Sequence, residues 1–233
     1  MTAARQPFVE ARIVVGYPNL TVEVNLEADR GDIVGIVGPN GAGKSTVLRA
    51  IAGLQPLDDG RITIASTVVD DPSKGVLVAA AQRRVGVVFQ DYRLFPHLSA
   101  QDNVAFGLRC RGMTRRAARS AALEWLERVD LIDHRDHKPA ALSGGQAQRV
   151  ALARSLATVP DVLLLDEPLT AIDAGARQRI REDVARYLHG FRGATILVSH
   201  DHDDIRALTT RAVVLAKGTV VWHGPTVELN EHL

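Results

Sequence analysis

The segment Gly38–Ser45 constrains the fold more than any other part of the sequence. It reads Gly-Pro-Asn-Gly-Ala-Gly-Lys-Ser and matches the pattern G-x-x-x-x-G-K-[S/T]. A short apolar run ends at Gly38, and apolar residues at helical spacing follow the segment. Glycines between a strand and a helix let backbone N–H groups and the positive end of the helix dipole face phosphate oxygens. The segment therefore predicts a phosphate-binding loop in an α/β fold.

The chemistry of such a loop gives its residues separate roles. Lys44 is expected to reach the β- and γ-phosphates of ATP, the Ser45 hydroxyl to bind Mg²⁺, and Thr46 to lie near the α-phosphate. Only four of the 28 basic residues are lysines, so a motif that requires lysine is harder to meet by accident. The predicted ATP-binding residues are Gly38, Pro39, Asn40, Gly41, Ala42, Gly43, Lys44, Ser45 and Thr46.

Two adjacent carboxylates follow the continuous apolar run 162–165, which is typical of a buried parallel strand. Asp166 is predicted to hold Mg²⁺, directly or through water. Glu167 points to the other side of the strand axis and is predicted to accept a proton from the attacking water. An acidic pair at a strand end usually has no role beyond being exposed to solvent, but a phosphate loop in the same chain favours a role in hydrolysis.

A second glycine-rich segment starts a helix at Ser143-Gly144-Gly145-Gln146. Ser143 and Gln146 have the spacing of a capping box, which is a sufficient structural explanation for both. Two successive glycines nevertheless cost backbone entropy, and they favour close approach of a ligand to the helix N-terminus. The segment lies far along the chain from Gly38, and a site completed between two chains would account for that distance.

Composition excludes several functional classes. The net charge of +1 argues against a nucleic-acid binder that works by bulk electrostatics. No apolar run has the length of a membrane span, and the N-terminus lacks the apolar core of a signal peptide. Cys110 is the single cysteine, which fits a reducing cytosol. Strands at both ends and an Ala-, Arg- and Leu-rich helical block between them predict an α/β fold with an inserted helical subdomain.

The order of these motifs resembles that of ATP-binding-cassette (ABC) ATPases. Besides the segments above, Gln90 and His200 stand where that family has its Q-loop glutamine and switch histidine. The resemblance to the nucleotide-binding subunit of ABC transporters covers essentially the whole length. It implies a P-loop NTPase (RecA-like) core with N-terminal antiparallel strands. Residues 1–233 would form a single domain, with the nucleotide-binding core at 1–95 and 159–233 and the helical subdomain at 96–158.

The resemblance also implies roles for further residues. Gln90 would contact Mg²⁺ and the attacking water, and His200 the γ-phosphate. Two chains would pack head to tail, so that Ser143, Gly144, Gly145 and Gln146 act on the ATP of the partner chain. Asp173 matches the D-loop aspartate, although Leu-Thr-Ala-Ile-Asp departs from the commoner Ser-Ala-Leu-Asp. Tyr17 either stacks on adenine or packs in a turn.

Three further histidines lie in patterns that need separate interpretations. His202 forms a His-x-His pair with His200, but no cysteine or third ligand is near in sequence, so a metal site there is not expected. His134 and His137 stand among aspartates and are expected in a solvated loop.

The resemblance further predicts the partners of the chain. These are a second copy of the ATPase, two membrane permease subunits and, indirectly, an extracytoplasmic substrate-binding protein, with no nucleic acid. The chain would be peripheral on the cytoplasmic face of the membrane. The segment 91–98, with Tyr92, Leu94, Phe95 and Leu98, is either a buried loop or an apolar surface for the permease.

Short segments of the sequence indicate which type of ABC protein the chain resembles. Residues 74–98 and 103–108 look most like molybdate-importer ATPases, with sulfate importers second, while 221–225 also resembles thiamine systems. A soluble ABC ATPase usually has two cassettes or a coiled-coil insertion, and a non-hydrolysing module would lack part of the set Lys44, Glu167 and His200. Many molybdate ATPases carry a further C-terminal oxyanion-binding domain. Regulation of the ATPase by such a domain is expected to be absent or removed here.

Overall fold

A computed structural model describes residues 7–170 and 174–232, without the side chains of 174–176 and 230–232. The strands are β1 Val9–Tyr17, β2 Leu20–Ala28, β3 Ile33–Val37, β4 Asp59–Ile64, β5 Thr67–Asp71, β6 Val76–Leu77, β7 Val85–Val88, β8 Val162–Asp166, β9 Ala194–Val198, β10 Arg211–Ala216 and β11 Thr219–Pro225. The helices are α1 Lys44–Ala52, α2 Ala100–Cys110, α3 Arg115–Arg128, α4 Gly144–Ala157, α5 Ala174–His189 and α6 His202–Leu208. The predicted α/β fold is confirmed.

The strands form one sheet in the order β6-β5-β4-β1-β2-β11-β10-β3-β9-β8-β7. Strands β10, β3, β9, β8 and β7 run parallel to one another, whereas β1, β2, β4, β5 and β6 pair antiparallel. The β10–β11 hairpin joins the two halves, because β11 also pairs with β2. The predicted N-terminal antiparallel strands are therefore present.

Sequence patterns explain how these strands are buried. Val22, Val24 and Leu26 alternate with exposed residues, so β2 presents one apolar face. In β8 every residue from Val162 to Leu165 is fully buried, because neighbouring strands flank it and apolar clusters lie on both faces of the sheet. Strands β3, β9 and β8 are parallel, so the carboxylates that follow β8 lie at the same end of the strands as the loop after β3.

Helices α2, α3 and α4 lie between β7 and β8 in the chain and share a hydrophobic cluster of their own. Its fully buried members include Val104, Leu126 and Val150. The cluster is distinct from the two that flank the sheet. Helix α4 also contributes Leu152 and Leu156 to a cluster beside the sheet, and the division into a core and a helical subdomain at 96–158 stays a prediction. Within the described part of the chain, no helix is long and apolar enough to cross a membrane.

A buried arginine connects α1 to the antiparallel strands. The side chain of Arg83 is fully buried and pairs with the buried carboxylate of Asp70 at 3.2 Å. Its guanidinium also donates hydrogen bonds to the backbone carbonyl oxygens of Ala50, Ile51, Val69 and Val78. The first two of these lie in the last turn of α1, so Arg83 supplies donors to carbonyl groups at the helix end, where Ala50 also accepts from the N–H of Gly53.

Candidate functional site

The loop between β3 and α1 has a shape that requires glycine. Gly38 has a φ angle of +154°, and a Cβ there would lie 2.2 Å from the carbonyl oxygen of Leu215. Gly43, the residue before α1, has a φ angle of +102°, and a Cβ would lie 2.8 Å from a methyl group of Val22. Any other residue would be strained at both positions. The loop thus leads directly into the N-terminus of α1, where backbone N–H groups are available to an anion.

Backbone carbonyl groups of this loop hold the side chain of Lys44 in place. Its ammonium donates to the carbonyl oxygens of Gly38 at 2.8 Å and Pro39 at 3.0 Å, and the residue is only 7% exposed. Burial lowers the pKa of Lys44, while the nearby carboxylates of Glu167 and Asp166 act in the opposite direction. The cation is therefore already positioned at the loop and close to the acidic end of β8.

Glu167 is fixed in an unusual conformation beyond β8. Its φ angle is +47°, and its N–H donates to the carbonyl oxygen of Val198 at 2.9 Å. A non-glycine residue in this region costs about 1–3 kcal/mol and is typical of functional sites. One oxygen of its carboxylate accepts from the Thr170 hydroxyl at 3.0 Å and lies 3.1 Å from Nδ1 of His200. The structure thus brings together two predicted residues, Glu167 and His200.

Asp166, at the end of β8, is the carboxylate predicted to hold a divalent cation. Burial raises the pKa of Asp166, and the neighbouring Glu167 raises it further, whereas Arg49, Lys44 and Arg93 lower it. Mg²⁺ prefers oxygen donors and usually takes one or two carboxylates besides water and phosphate. Asp166 and Ser45 supply such donors, and Gln90 follows β7, the strand next to β8. In the described residues, no three His, Cys, Asp or Glu side chains form a group that could hold a metal ion.

We expect Asp166→Asn to stabilise the nucleotide-free protein and so to raise its Tm at neutral pH. The substitution removes a half-buried charge next to Glu167. Since the pKa of Asp166 is raised in the folded state, the gain should be present at neutral pH and vanish as the pH falls through that pKa. Thermal unfolding at several pH values measures it, with the exposed Asp91→Asn as control. An unchanged or lower Tm at neutral pH would contradict the expectation.

The Ser143–Gln146 segment forms the predicted capping box. The N–H of Gln146 donates to the Ser143 hydroxyl at 3.3 Å, and the N–H of Ser143 donates to Oε1 of Gln146 at 2.8 Å. A Cβ at Gly145 would lie 2.5 Å from Cδ1 of Ile180, so Gly145 packs closely against α5 and a larger residue would displace the end of that side chain. Across the described ranges, no hydrogen bond or ion pair joins this segment to the loop 38–46.

The structure places three further predicted site residues, Tyr17, Gln90 and His200, as follows. The hydroxyl groups of Tyr17 and Thr46 are 3.1 Å apart, so Tyr17 stands beside the phosphate loop, and it is 42% exposed. Gln90 is exposed, two residues beyond β7. A cavity of about 380 Å³ is lined by Gly38, Pro39, Asn40, His200 and His202, among others. Asp173 lies outside the described residues.

The segment after Gln90 is partly buried. Tyr92 is only 7% exposed and packs in the core beside the sheet, so the buried alternative is right for this residue. Phe95 is half-buried, and its ring centroid lies 4.4 Å from that of the exposed Phe106. An apolar surface exists here, but Tyr92 does not contribute to it.

Sequence reasoning missed two residues that contact the predicted site. Thr170 holds Glu167, and a hydroxyl three residues beyond a carboxylate is a turn signal that could have indicated it. His134 is half-buried, and its Nε2 lies 3.0 Å from Nε2 of Gln146, so the expectation of a purely solvated loop is wrong for this residue. His137 is exposed as expected.

Known proteins resemble this chain closely. The ABC transporter family model matches residues 22–170. The chain is 45% identical over 225 residues to the molybdenum import ATP-binding protein of Mycobacterium tuberculosis, covering 95% of this chain and 60% of the relative. It is 42% identical to an Fe(3+) ions import ATP-binding protein of Rhizobium meliloti, covering 90% of this chain and 58% of that one. It is 41% identical to a probable sulfate/thiosulfate import ATP-binding protein of Chlorella vulgaris, covering 90% and 86%.

A solved structure also matches in three dimensions. It is a dimeric ATP-binding cassette in a post-hydrolysis state bound to ADP and Pi, with a TM-score of 0.77 and 31% identity over 94% of this chain and 98% of that chain. The chain spans about 60% of the length of several of the curated relatives that it matches. The family match and these identities together carry one conclusion: the chain belongs to the ABC transporter family.

Proposed function

We propose that the chain is the ATP-binding and ATP-hydrolysing subunit of an ABC importer. The observation that carries this proposal is the Glu167 carboxylate, held by Thr170 and His200 at the sheet edge where Lys44 covers the phosphate loop. A loop of this kind binds the phosphates, and a fixed carboxylate beside it activates water. The relatives named above are import ATP-binding proteins, which supports the same activity for this chain.

The proposed reaction follows from the positions of these groups. Lys44 exchanges its hydrogen bonds to Gly38 and Pro39 for the β- and γ-phosphate oxygens of ATP, where its charge stabilises the transition state. Glu167 accepts a proton from the attacking water, and His200 orients that carboxylate. Bound Mg²⁺, held by Asp166 and Ser45 with Gln90 nearby, would neutralise phosphate charge. Tyr17, whose hydroxyl group is 3.1 Å from that of Thr46, is proposed to stack on the adenine ring.

The proposed active unit is a head-to-tail homodimer. The N-terminus of α4 lacks hydrogen-bonded contact with the loop of its own chain in the described residues, so its anion-binding groups suit the ATP of a partner chain. The dimeric nucleotide-bound structural relative supports this arrangement. ATP binding would close the dimer, and phosphate release would remove the bridging anion and let it open. Asp173 is proposed to lie in the same interface.

The proposed partners are two membrane permease subunits and, through them, an extracytoplasmic substrate-binding protein. The chain would then be peripheral on the cytoplasmic face of the membrane. The relatives are described as import ATP-binding proteins, which supports a separate transport partner. The half-buried Phe95 and exposed Phe106 near the Q-loop are candidates for the permease contact.

Molybdate, or a related oxyanion, is the proposed transported solute. The molybdenum import protein of M. tuberculosis shares 45% identity with this chain. Importers for Fe(3+), sulfate or thiosulfate, and maltose share between 38% and 42%. The ATPase does not touch the solute in the proposed mechanism, so identity along this chain supports the assignment only through common ancestry of the whole importer.

We expect deletion of the gene to lower cellular molybdenum several-fold when molybdate is scarce. A plasmid copy of the wild type should restore it, and a copy with Lys44→Ala should not, because the phosphate loop loses its cation. Elemental analysis measures the molybdenum, and labelled sulfate and Fe(3+) uptake serve as controls. Unchanged molybdenum together with lost sulfate or iron uptake would reassign the solute. Unchanged uptake of all three would favour an ABC ATPase outside these importers.

A further inference from the structure

A chain of hydrogen bonds leads from the N-terminus of α4 to two histidines. The N–H of Ser143 donates to Oε1 of Gln146 at 2.8 Å. This fixes the orientation of the amide, because the reverse orientation would place its NH₂ group, a donor, against the N–H donor of Ser143. The NH₂ group of Gln146 therefore faces Nε2 of His134, 3.0 Å away. His134 can accept this hydrogen bond only with an unprotonated Nε2.

The other ring nitrogen of His134 forms the last hydrogen bond of this series. With Nε2 as acceptor, the neutral ring carries its proton on Nδ1, which lies 3.1 Å from Nδ1 of His137. His137 then accepts at Nδ1. All donors in this series point the same way, from the backbone of Ser143 through Gln146 and His134 to His137.

The turn that carries these histidines is fixed by the backbone. The N–H of His137 donates to the carbonyl oxygen of His134 at 2.9 Å. At the first turn of α2, the N–H of Ala100 donates to the carbonyl oxygen of His137 at 2.8 Å, and that of Gln101 to Arg135 at 2.9 Å. His134 is thus a half-buried acceptor on a rigid support, whereas Gln146 belongs to an exposed helix start with rotatable side-chain bonds.

We propose that His134 is a positioning residue for the anion-binding N-terminus of α4. By accepting a hydrogen bond from Gln146, it holds that side chain in the capping box, so that Ser143 and the first N–H groups of α4 are already arranged for the phosphate of a partner chain. This role rests on the proposed head-to-tail dimer. His134 acts through Gln146 and is not expected to touch nucleotide.

The experiment uses ATP-driven dimerisation of the full chain in a Glu167→Gln background, where ATP is bound but not consumed. Three further changes are compared in that background. His134→Leu removes the acceptor, His134→Gln retains an acceptor oxygen on a flexible side chain, and His223→Leu alters an exposed histidine on β11 as a matched control. Sedimentation with MgATP measures the dimer dissociation constant. A fluorescent ATP analogue at low protein concentration measures nucleotide affinity of the monomer.

His134→Leu should weaken dimerisation about fivefold to thirtyfold, the scale of one lost hydrogen bond in each of two sites. Nucleotide affinity of the monomer should stay unchanged, because the phosphate loop belongs to the same chain. His134→Gln should recover most of the dimer affinity, and His223→Leu should match the parent.

Three results would overturn the inference. In the first, His134→Leu dimerises like the parent. In the second, His134→Gln is as weak as His134→Leu, which indicates packing rather than hydrogen bonding. In the third, monomer affinity falls in parallel with dimerisation, which indicates a general structural loss. If the Glu167→Gln parent itself forms no ATP-dependent dimer, the proposed dimer fails, and the role of His134 fails with it.

Discussion

Replacing Glu167 by Gln is expected to lower the rate of ATP hydrolysis by about two to four orders of magnitude. The amide keeps the size of the carboxylate and can still contact Thr170 and His200, but it cannot take a proton from water. ATP affinity should be retained, because Lys44 and the phosphate loop are unchanged. The variant should therefore accumulate in an ATP-bound dimeric form.

Steady-state phosphate release and sedimentation with MgATP check these two expectations. Glu10→Gln, an exposed position on β1, is the matched control and should hydrolyse ATP like the wild type. Equal rates for Glu167→Gln and wild type would exclude Glu167 as the base. Lost hydrolysis without an ATP-dependent dimer would leave the base assigned and contradict the dimer closure.

Replacing Arg83 by Leu is expected to destabilise the protein by about 3–5 kcal/mol. The substitution leaves the buried carboxylate of Asp70 without its cation at 3.2 Å. It also removes the arginine's hydrogen bonds to four backbone carbonyl groups, two of which lie in α1. Of the four, Ala50 and Val69 keep backbone donors in Gly53 and Val78. Because α1 carries the phosphate loop at its other end, ATP affinity should fall together with Tm.

Arg84→Leu is a matched control one residue away. Arg84 is 60% exposed at its side chain and pairs with Asp161 at 3.1 Å, and an exposed ion pair contributes about 0–1 kcal/mol. Chemical denaturation of both variants measures the difference in the free energy of unfolding. A double change, Arg83→Leu with Asp70→Leu, should recover part of the loss, since no buried charge remains unpaired. Equal stabilities for the two arginine variants would contradict the role of Arg83.

The sequence predicts well where the local pattern is strong. The apolar run 162–165 and the helical spacing after Gly43 fix β8 and α1, because each element is defined by its own residues. The capping box of Ser143 and Gln146 is equally local. The roles of the predicted site residues stay predictions, although Glu167 and His200 do meet.

Long-range pairings are less accessible to sequence reasoning. Arg83 reads as one arginine among 24, and nothing near it in the chain indicates that it lies between α1 and β5. Tyr92 lies among turn residues, and only the packing of a distant core buries it. His134 meets Gln146 through a turn whose geometry depends on hydrogen bonds to α2. Each of these contacts is decided by tertiary structure rather than by periodicity.

The place of β3 in the sheet has a consequence for folding during synthesis. Its two neighbours are β9 and β10, and the hydrogen bond between Ile33 and Thr210 spans 177 residues. Helices α2, α3 and α4 make local contacts and can associate as soon as they leave the ribosome, whereas such distant pairing is slow and late. The phosphate loop is thus translated early but completed last. We therefore expect ATP to add stability only after β9 and β10 have paired with β3, since the loop that binds its phosphates follows β3 directly.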